Sequence, residues 1–146
     1  MGDTFDKKIN SITEEEAFIR PLPNLHSPAE LIAHLTAWRN DAVLKINTGK
    51  GKLIGDSDQN WPGNDELKKI GWSNLIANYQ DSLAVLVDLL RDNDDSFLDQ
   101  PYEDQDFKGK YHYSFVINGL LHHDLYHLGQ LGIVIKLIKE KQHYRI

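Results

Sequence analysis

The strongest constraint in this sequence is a pair of histidines inside the apolar face of its last predicted helix. His123 and His127 are four residues apart, a spacing that puts two side chains on one side of a helix with Cβ atoms about 5–6 Å apart. Burying one polar group without a partner costs roughly 1–3 kcal/mol, so two on one face require an explanation. Two imidazoles so placed can share one metal ion. The neighbouring positions on that side of the helix are all apolar: Val116, Leu120, Leu131 and Val134.

A third histidine lies on a helix with a clear start signal. Residues 27–30, Ser-Pro-Ala-Glu, combine an N-cap serine, a proline at the first helical position and a glutamate three residues after the cap. The helix is predicted to continue to about Ile46 and to end at residues 47–49. His34 falls among its apolar positions and is predicted at or beside the core-facing side.

The remaining pattern is helical almost throughout, with Gly, Pro and Asp clusters between the segments. Residues 3–18 suit one or two short helices, residues 64–91 a third helix that Gly71 loosens or interrupts, and residues 114–140 a fourth helix about 40 Å long. The third helix is predicted to bury its apolar positions, Leu67, Ile70 (or Gly71), Ile76, Tyr79, Leu83, Leu86 and Leu90.

Two long polar segments, residues 48–63 and 92–111, are predicted as connecting loops. Trp61, in the first of them, is a candidate to fold back over one end of the helices. We expect one all-α domain over residues 1–146, a four-helix bundle with long connections and a short first helix.

Composition excludes several classes of function. The net charge of −6 argues against binding to nucleic acid or to an anionic membrane, which need basic patches. The chain has no cysteine, which excludes disulfides, thiolate ligands and a cysteine nucleophile, so any reacting thiol would come from a cosubstrate. The polar first residues do not resemble a signal peptide, and no apolar run approaches the ~18–20 residues of a membrane span. We therefore expect a soluble cytoplasmic protein.

Together, His34, His123 and His127 predict an open metal site. Three nitrogens from two helices leave a position for water or substrate, as in catalytic zinc sites. The alternative is a set of core histidines satisfied by their neighbours. A zinc-protease helix is disfavoured because it needs glutamate after the first histidine, where this chain has Asp124. The other four histidines are not expected to be ligands: His26, His112, His122 and His143.

Three neighbouring residues have secondary roles to consider. Trp38 could wall a pocket beside His34 or belong to the plain core. Gln130 could anchor a water or a ligand histidine of the opposite helix, and a helix-packing role is equally open. Asp124 is expected to face solvent or a neighbouring helix.

These segments resemble the DinB-like superfamily of four-helix-bundle proteins. One matching piece covers residues 13–35 and includes His34, the approach to the family's second helix and its metal histidine. The more specific piece covers residues 123–131, where His-Asp-Leu-Tyr-His-Leu-Gly-Gln-Leu is similar to the family's His-x-x-x-His followed by Gly-Gln. Matched residue by residue, the resemblance implies His34, His123 and His127 as ligands of a divalent metal ion, zinc or nickel above all. The chain departs from the pattern at its start, where family members usually have a full first helix.

The resemblance also implies a class of chemistry. Characterised relatives include metal-dependent enzymes that use low-molecular-weight thiols, as S-transferases or isomerases, and we take that class as the leading hypothesis, with a small-molecule substrate. A metal-dependent hydrolase would use the same ligands. The alternative of a different kind is a non-enzymatic protein for small-molecule binding or stress protection. Family members are often dimers, so a homodimer is expected.

Overall fold

A computed structural model describes residues 4–143, and the outermost residues of the predicted 1–146 domain lie outside this range. The expected all-α fold is confirmed, with one small β-hairpin added. In chain order the elements are α1 (Phe5–Ile9), α2 (Glu14–Ala17), α3 (Pro28–Thr48), α4 (Asn64–Ile70), α5 (Trp72–Arg91), a 3₁₀ helix (Asp95–Asp99), β1 (Pro101–Asp104), β2 (Gly109–His112) and α6 (Tyr113–His143). Within the described range, none of the helices combines the length and apolar character of a membrane span.

The start of α3 follows the predicted capping pattern. The Ser27 hydroxyl accepts a hydrogen bond from the Glu30 amide at 3.2 Å, and the Glu30 carboxylate accepts one from the Ser27 amide at 2.8 Å. Arg20 pairs with the same carboxylate, which is buried. The helix ends two residues later than predicted, at Thr48, where Gly49 takes the left-handed conformation with φ 72°. The cap at Ser27 sets where α3 begins and thereby places His34 in its second turn.

Two short helices stand where a full first helix would complete the bundle. Helix α1 packs against α6, and α2 packs against α3 and α5. Their buried residues Ile9, Ile12 and Ala17 join the main core cluster with residues of α3, α5 and α6. The prediction of one or two short helices in this segment is confirmed. The bundle's fourth wall is therefore present but divided into two pieces.

The third predicted helix is broken at Gly71. This glycine has φ 86° and ψ 147°, so the chain leaves the helical conformation and α5 begins afresh at Trp72. The new helix buries Trp72, Leu75, Tyr79, Ser82 and Leu86. The predicted burial of Ile70 and Leu83 is wrong, because each is 42% exposed. Within α5 the buried face passes through Ser82 where Leu83 was expected, while Tyr79 and Leu86 are buried as predicted.

The second connection, residues 92–111, was predicted as a loop. It contains an antiparallel hairpin instead. Strands β1 and β2 pair Tyr102 with Tyr111, and the pair contacts α3 and the start of α6. Tyr102 is buried and stacks against Tyr113 with ring centroids 5.3 Å apart. Strands of four residues give too short an alternation to be recognised in the sequence, which explains the error.

Candidate metal centre

Helices α3 and α6 bring the three predicted histidines together in the interior. Nε2 of His123 lies 2.9 Å from Nε2 of His34 and 3.1 Å from Nε2 of His127. His34 and His127 are buried, with 4% and 5% of their surface exposed, and His123 is partly buried. The apolar neighbours predicted for this face of α6 are all buried as well: Val116, Leu120, Leu131 and Val134. Ligand atoms of the three histidines all lie within 4.8 Å of one another.

Two of the three rings are oriented by hydrogen bonds on their outer nitrogens. Nδ1 of His34 donates to the backbone carbonyl of Asn60 at 3.1 Å. Nδ1 of His127 donates to Oε1 of Gln130 at 2.6 Å. Because a neutral imidazole carries one proton, both rings present an Nε2 lone pair to the centre of the cluster. Such outer hydrogen bonds are typical of metal-binding histidines.

This arrangement lacks enough protons to satisfy the inner nitrogens. Nε2 of His123 touches two lone pairs, and a single proton on it can serve only one of them. The other contact then places two lone pairs against each other. A cation at the centre would satisfy all three nitrogens at once. A tetrahedral zinc ion with Zn–N bonds of about 2.0–2.1 Å holds its nitrogens about 3.3 Å apart, close to the two distances observed here.

The electrostatic environment keeps the rings neutral. The pKa of His34 is lowered to about 3, chiefly by burial and in part by the neighbouring His127 and His123, while the hydrogen bonds with Asn60 oppose the shift. Burial, His127 and Arg39 lower the pKa of His123 to about 4. The pKa of His127 is also lowered, chiefly by burial and against the hydrogen bond with Gln130. At neutral pH all three rings are therefore free to donate a lone pair to a metal ion.

Trp61 covers one face of His34. The two rings stack with centroids 3.7 Å apart and planes 8° apart. His26 stacks on the opposite face of Trp61 at 3.8 Å. Trp61 folds back against the helices, as predicted, and its position over one end of them stays a prediction. Sequence reasoning missed the contact with His26, since nothing in the spacing of residues 26, 34 and 61 indicates a stack. As expected, His26 is outside the ligand cluster, because the indole separates it from His34.

An ion pair ties α3 to α6 one residue away from His123. Nη2 of Arg39 lies 2.7 Å from Oδ2 of Asp124 and also donates to the Tyr79 hydroxyl at 3.2 Å. Nη1 of Arg39 donates to the Tyr79 backbone carbonyl. Asp124 thus faces a neighbouring helix, one of the two positions expected for it. The pair fixes the two helices that carry the histidines relative to each other.

The remaining candidates take simpler positions. His122 is exposed beside the cluster and outside it. Gln130 does not reach the opposite helix as suggested, because its amide bonds to His127 of its own helix, three residues earlier. Trp38 is partly buried and lines a cavity beside His123. His112 and His143, the other two histidines not expected to be ligands, are exposed.

Comparisons with known proteins identify the family and a similar fold. The sequence profile of the DinB superfamily matches residues 1–131. The chain belongs to the DinB superfamily. The fold is similar to the crystal structure of a DinB-like protein from Bacillus subtilis, with 14% sequence identity, a TM-score of 0.63, and coverage of 90% of this chain and 81% of the other. No curated protein matches the chain significantly. The family resemblance read from the histidine motif is therefore confirmed, and the structural similarity shows the shared fold.

Proposed function

We propose that this DinB-superfamily chain binds one divalent metal ion, zinc or nickel, through His34, His123 and His127. We propose further that it uses the ion as an S-transferase or isomerase acting with a low-molecular-weight thiol. The observation that supports metal binding is the convergence of three Nε2 atoms, two of which are fixed as lone pairs by Asn60 and Gln130. No other described feature satisfies all three nitrogens.

The ligand set suits the activation of a weak acid. A divalent ion held by three neutral imidazoles keeps its double positive charge and lowers the pKa of a bound thiol or water. The chain's own residues orient the ligands: the Asn60 carbonyl and the Gln130 amide hold the outer nitrogens of His34 and His127. Trp61 excludes water from one face of His34. Three protein ligands leave at least one coordination position for a small molecule.

The surroundings favour a thiol over water as the nucleophile. Metal-dependent hydrolysis of the protease type uses a carboxylate as general base. Within residues 4–143, the candidate ligand cluster contains histidines and no carboxylate, and nearby Asp124 pairs with Arg39. A thiol has an ordinary pKa of about 8.5, far below that of water, so a thiol bound to the ion ionises without such a base. The chain contains no cysteine, so the thiol would be a cosubstrate.

Metal content tests the first part of the proposal. Metal-free protein is reconstituted with Zn²⁺ or with Ni²⁺, desalted, and measured by inductively coupled plasma mass spectrometry. We expect one ion per chain in the wild type, loss of that ion in His127→Ala, and retention in His122→Ala, which changes an exposed neighbour on the same helix. A wild type that takes up neither metal, or a His127→Ala protein that binds as much as the wild type, would overturn the proposal.

A second experiment tests the chemistry. Metal-loaded protein is assayed with a panel of low-molecular-weight thiols and uncharged electrophiles, following loss of free thiol and formation of the thioether. Thiol consumption that depends on the metal and disappears in His127→Ala supports the transferase. Metal binding together with ligand binding but without turnover would instead identify a small-molecule-binding protein. Ester hydrolysis by the same preparation without thiol would favour the hydrolase.

A further inference from the structure

A cavity of about 180 Å³ begins at His123 and extends away from the histidine cluster between α3, α6 and the hairpin. Along α6 the cavity runs from His123 toward the N-terminal end of the helix. Along α3 it runs from Trp38 toward the C-terminal end, as far as Lys45. The hydrogen bond from the Tyr113 hydroxyl to the Lys45 carbonyl places Lys45 beside the start of α6, at the end far from His123. The walls are mainly apolar and are formed by Trp38, Phe107, Phe115, Val116, Gly119 and Leu120.

The far end of the cavity is polar and charged. Lys45 is buried, and its Nζ lies 3.0 Å from Oδ2 of Asp41 and 2.8 Å from Oδ2 of Asp104. The Tyr102 hydroxyl also donates to Oδ2 of Asp104, at 3.0 Å. One function of this group is structural, because Lys45 and Asp41 belong to α3 while Asp104 and Tyr102 belong to β1. It holds the hairpin against the helix.

The structural ion pairs of Lys45 leave part of its hydrogen-bonding capacity unused. Each carboxylate offers only its Oδ2 to the ammonium, since Oδ1 of Asp41 accepts the amides of Lys52 and Leu53, and Oδ1 of Asp104 accepts the amides of residues 106 and 107. An ammonium group has three N–H donors, and two carboxylate oxygens in ion-pair contact can engage at most two of them. Within residues 4–143 no further acceptor bonds to this ammonium, so at least one donor is available to a ligand. The ammonium lies 5.7 Å and 5.5 Å from the ring centroids of Trp38 and Tyr102, both of which line the cavity.

We propose that this cavity binds an uncharged compound with one aromatic or alicyclic ring, whose hydrogen-bond acceptor is received by Nζ of Lys45. The inference rests on the proposed function, for which it names the class of electrophilic substrate. The size is suitable, because an apolar cavity of about 150 Å³ holds benzene. The charge is suitable as well. Two carboxylates and one ammonium leave a net charge of −1, which disfavours an anion, and the mainly apolar walls make the desolvation of any charged ligand costly.

Three small probes of similar size test the cavity: acetophenone, which carries a ring and a carbonyl acceptor, ethylbenzene, which lacks the acceptor, and benzoate, which is charged. Affinities are measured by ligand-observed NMR titration on metal-loaded and on metal-free protein. We expect acetophenone to bind about three- to tenfold more tightly than ethylbenzene, the usual effect of one hydrogen bond. Benzoate should bind most weakly of the three. Equal affinities for acetophenone and ethylbenzene, or a preference for benzoate, would overturn the proposal.

Two glycines of α6 provide matched variants that locate the binding. A Cβ at Gly119 or at Gly129 would meet no other atom within 4 Å, so the backbone at both positions has room for a side chain to begin. Gly119 lines the cavity and Gly129 does not. We expect Gly119→Leu to weaken acetophenone binding at least about tenfold, by filling the site, and Gly129→Leu to change it less than about twofold. Equal effects of the two variants would contradict binding in this cavity.

Lys45→Met tests the polar end of the cavity. In this variant the preference for acetophenone over ethylbenzene should fall to within about twofold. If Lys45→Met fails to fold, the glycine pair still decides whether the cavity is the binding site. Metal content separates this inference from the proposed function. One ion per chain without acetophenone binding refutes the cavity alone, whereas acetophenone binding without metal uptake refutes the metal centre alone.

Discussion

The backbone carbonyl oxygen of Asn60 lies 3.1 Å from Nδ1 of His34, on a connection that carries no helix or strand of its own. The next residue, Trp61, stacks on the same imidazole at 3.7 Å. The segment of residues 49–63 therefore fixes both the tautomer and the orientation of one candidate ligand. A connection that looks featureless in the sequence thus contributes directly to the site.

Loss of the Trp61 indole should weaken metal binding. In Trp61→Ala the stack on His34 is lost and the Asn60 carbonyl is less firmly held, so we expect Zn²⁺ affinity to fall about tenfold, the lower end for groups that orient a ligand. Trp61→Phe keeps an aromatic face and should restore most of the affinity. Competition with a chromophoric chelator measures both variants. Unchanged affinity in Trp61→Ala would show that the stack has no part in metal binding.

Gln130 should act through His127. Gln130→Ala removes the acceptor 2.6 Å from Nδ1 of His127, frees the ring to rotate or change tautomer, and should lower Zn²⁺ affinity about 10- to 100-fold. Gln130→Glu keeps an acceptor at the same position and should remain close to the wild type or bind more tightly. Isothermal titration in the presence of a competing chelator separates these outcomes. Equal losses in both variants would indicate a packing role instead.

The Asp124–Arg39 pair should matter more for stability than the exposed pairs. Asp124→Ala leaves the guanidinium of Arg39, 2% exposed, without its carboxylate, and removing one partner of a buried pair typically costs about 3–5 kcal/mol. Since Asp124 itself is 22% exposed, we expect a value near 3 kcal/mol. Arg91→Ala is the control, because it breaks an exposed pair with Asp88 and should cost less than about 1 kcal/mol. Urea unfolding measures both. Similar small losses would show that the buried pair is dispensable.

The candidate site could be predicted from sequence because local signals specify it. The i, i+4 spacing puts His123 and His127 on the same side of α6 however that helix packs. The cap at Ser27 sets the start of α3 and so determines which side of that helix carries His34. Those signals were sufficient to predict which side chains meet. The contributions of Asn60 and Tyr79 come from residues distant in the sequence, and no local pattern encodes them.

The errors have equally local causes. Helical spacing allows the buried position after Tyr79 to fall at either i+3 or i+4, and α5 buries Ser82 rather than Leu83, which is 42% exposed. The hairpin was missed because each strand has four residues and its core contact depends on a tyrosine pairing across the turn. The cytoplasmic location and the homodimer expected from the resemblance stay predictions.

Acid should destabilise the metal-free protein earlier than its carboxylates alone would. The folded-state pKa values of His34 and His123 are lowered to about 3 and about 4 from an ordinary 6.5, chiefly by burial. Between pH 6.5 and 4 the unfolded chain therefore binds more protons than the folded one, and stability falls as the pH falls. Each histidine contributes up to about 1.4 kcal/mol per pH unit in that window. Urea unfolding in the presence of a chelator, repeated at several pH values, gives the slope of the free energy of unfolding against pH.

His123→Leu should reduce this slope by the equivalent of up to about one bound proton, since one buried histidine is gone. His122→Leu, which changes the exposed neighbour, should leave it as in the wild type. A wild-type stability that is flat between pH 6.5 and 4, or an equal change of slope in both variants, would contradict the buried neutral state inferred for the cluster.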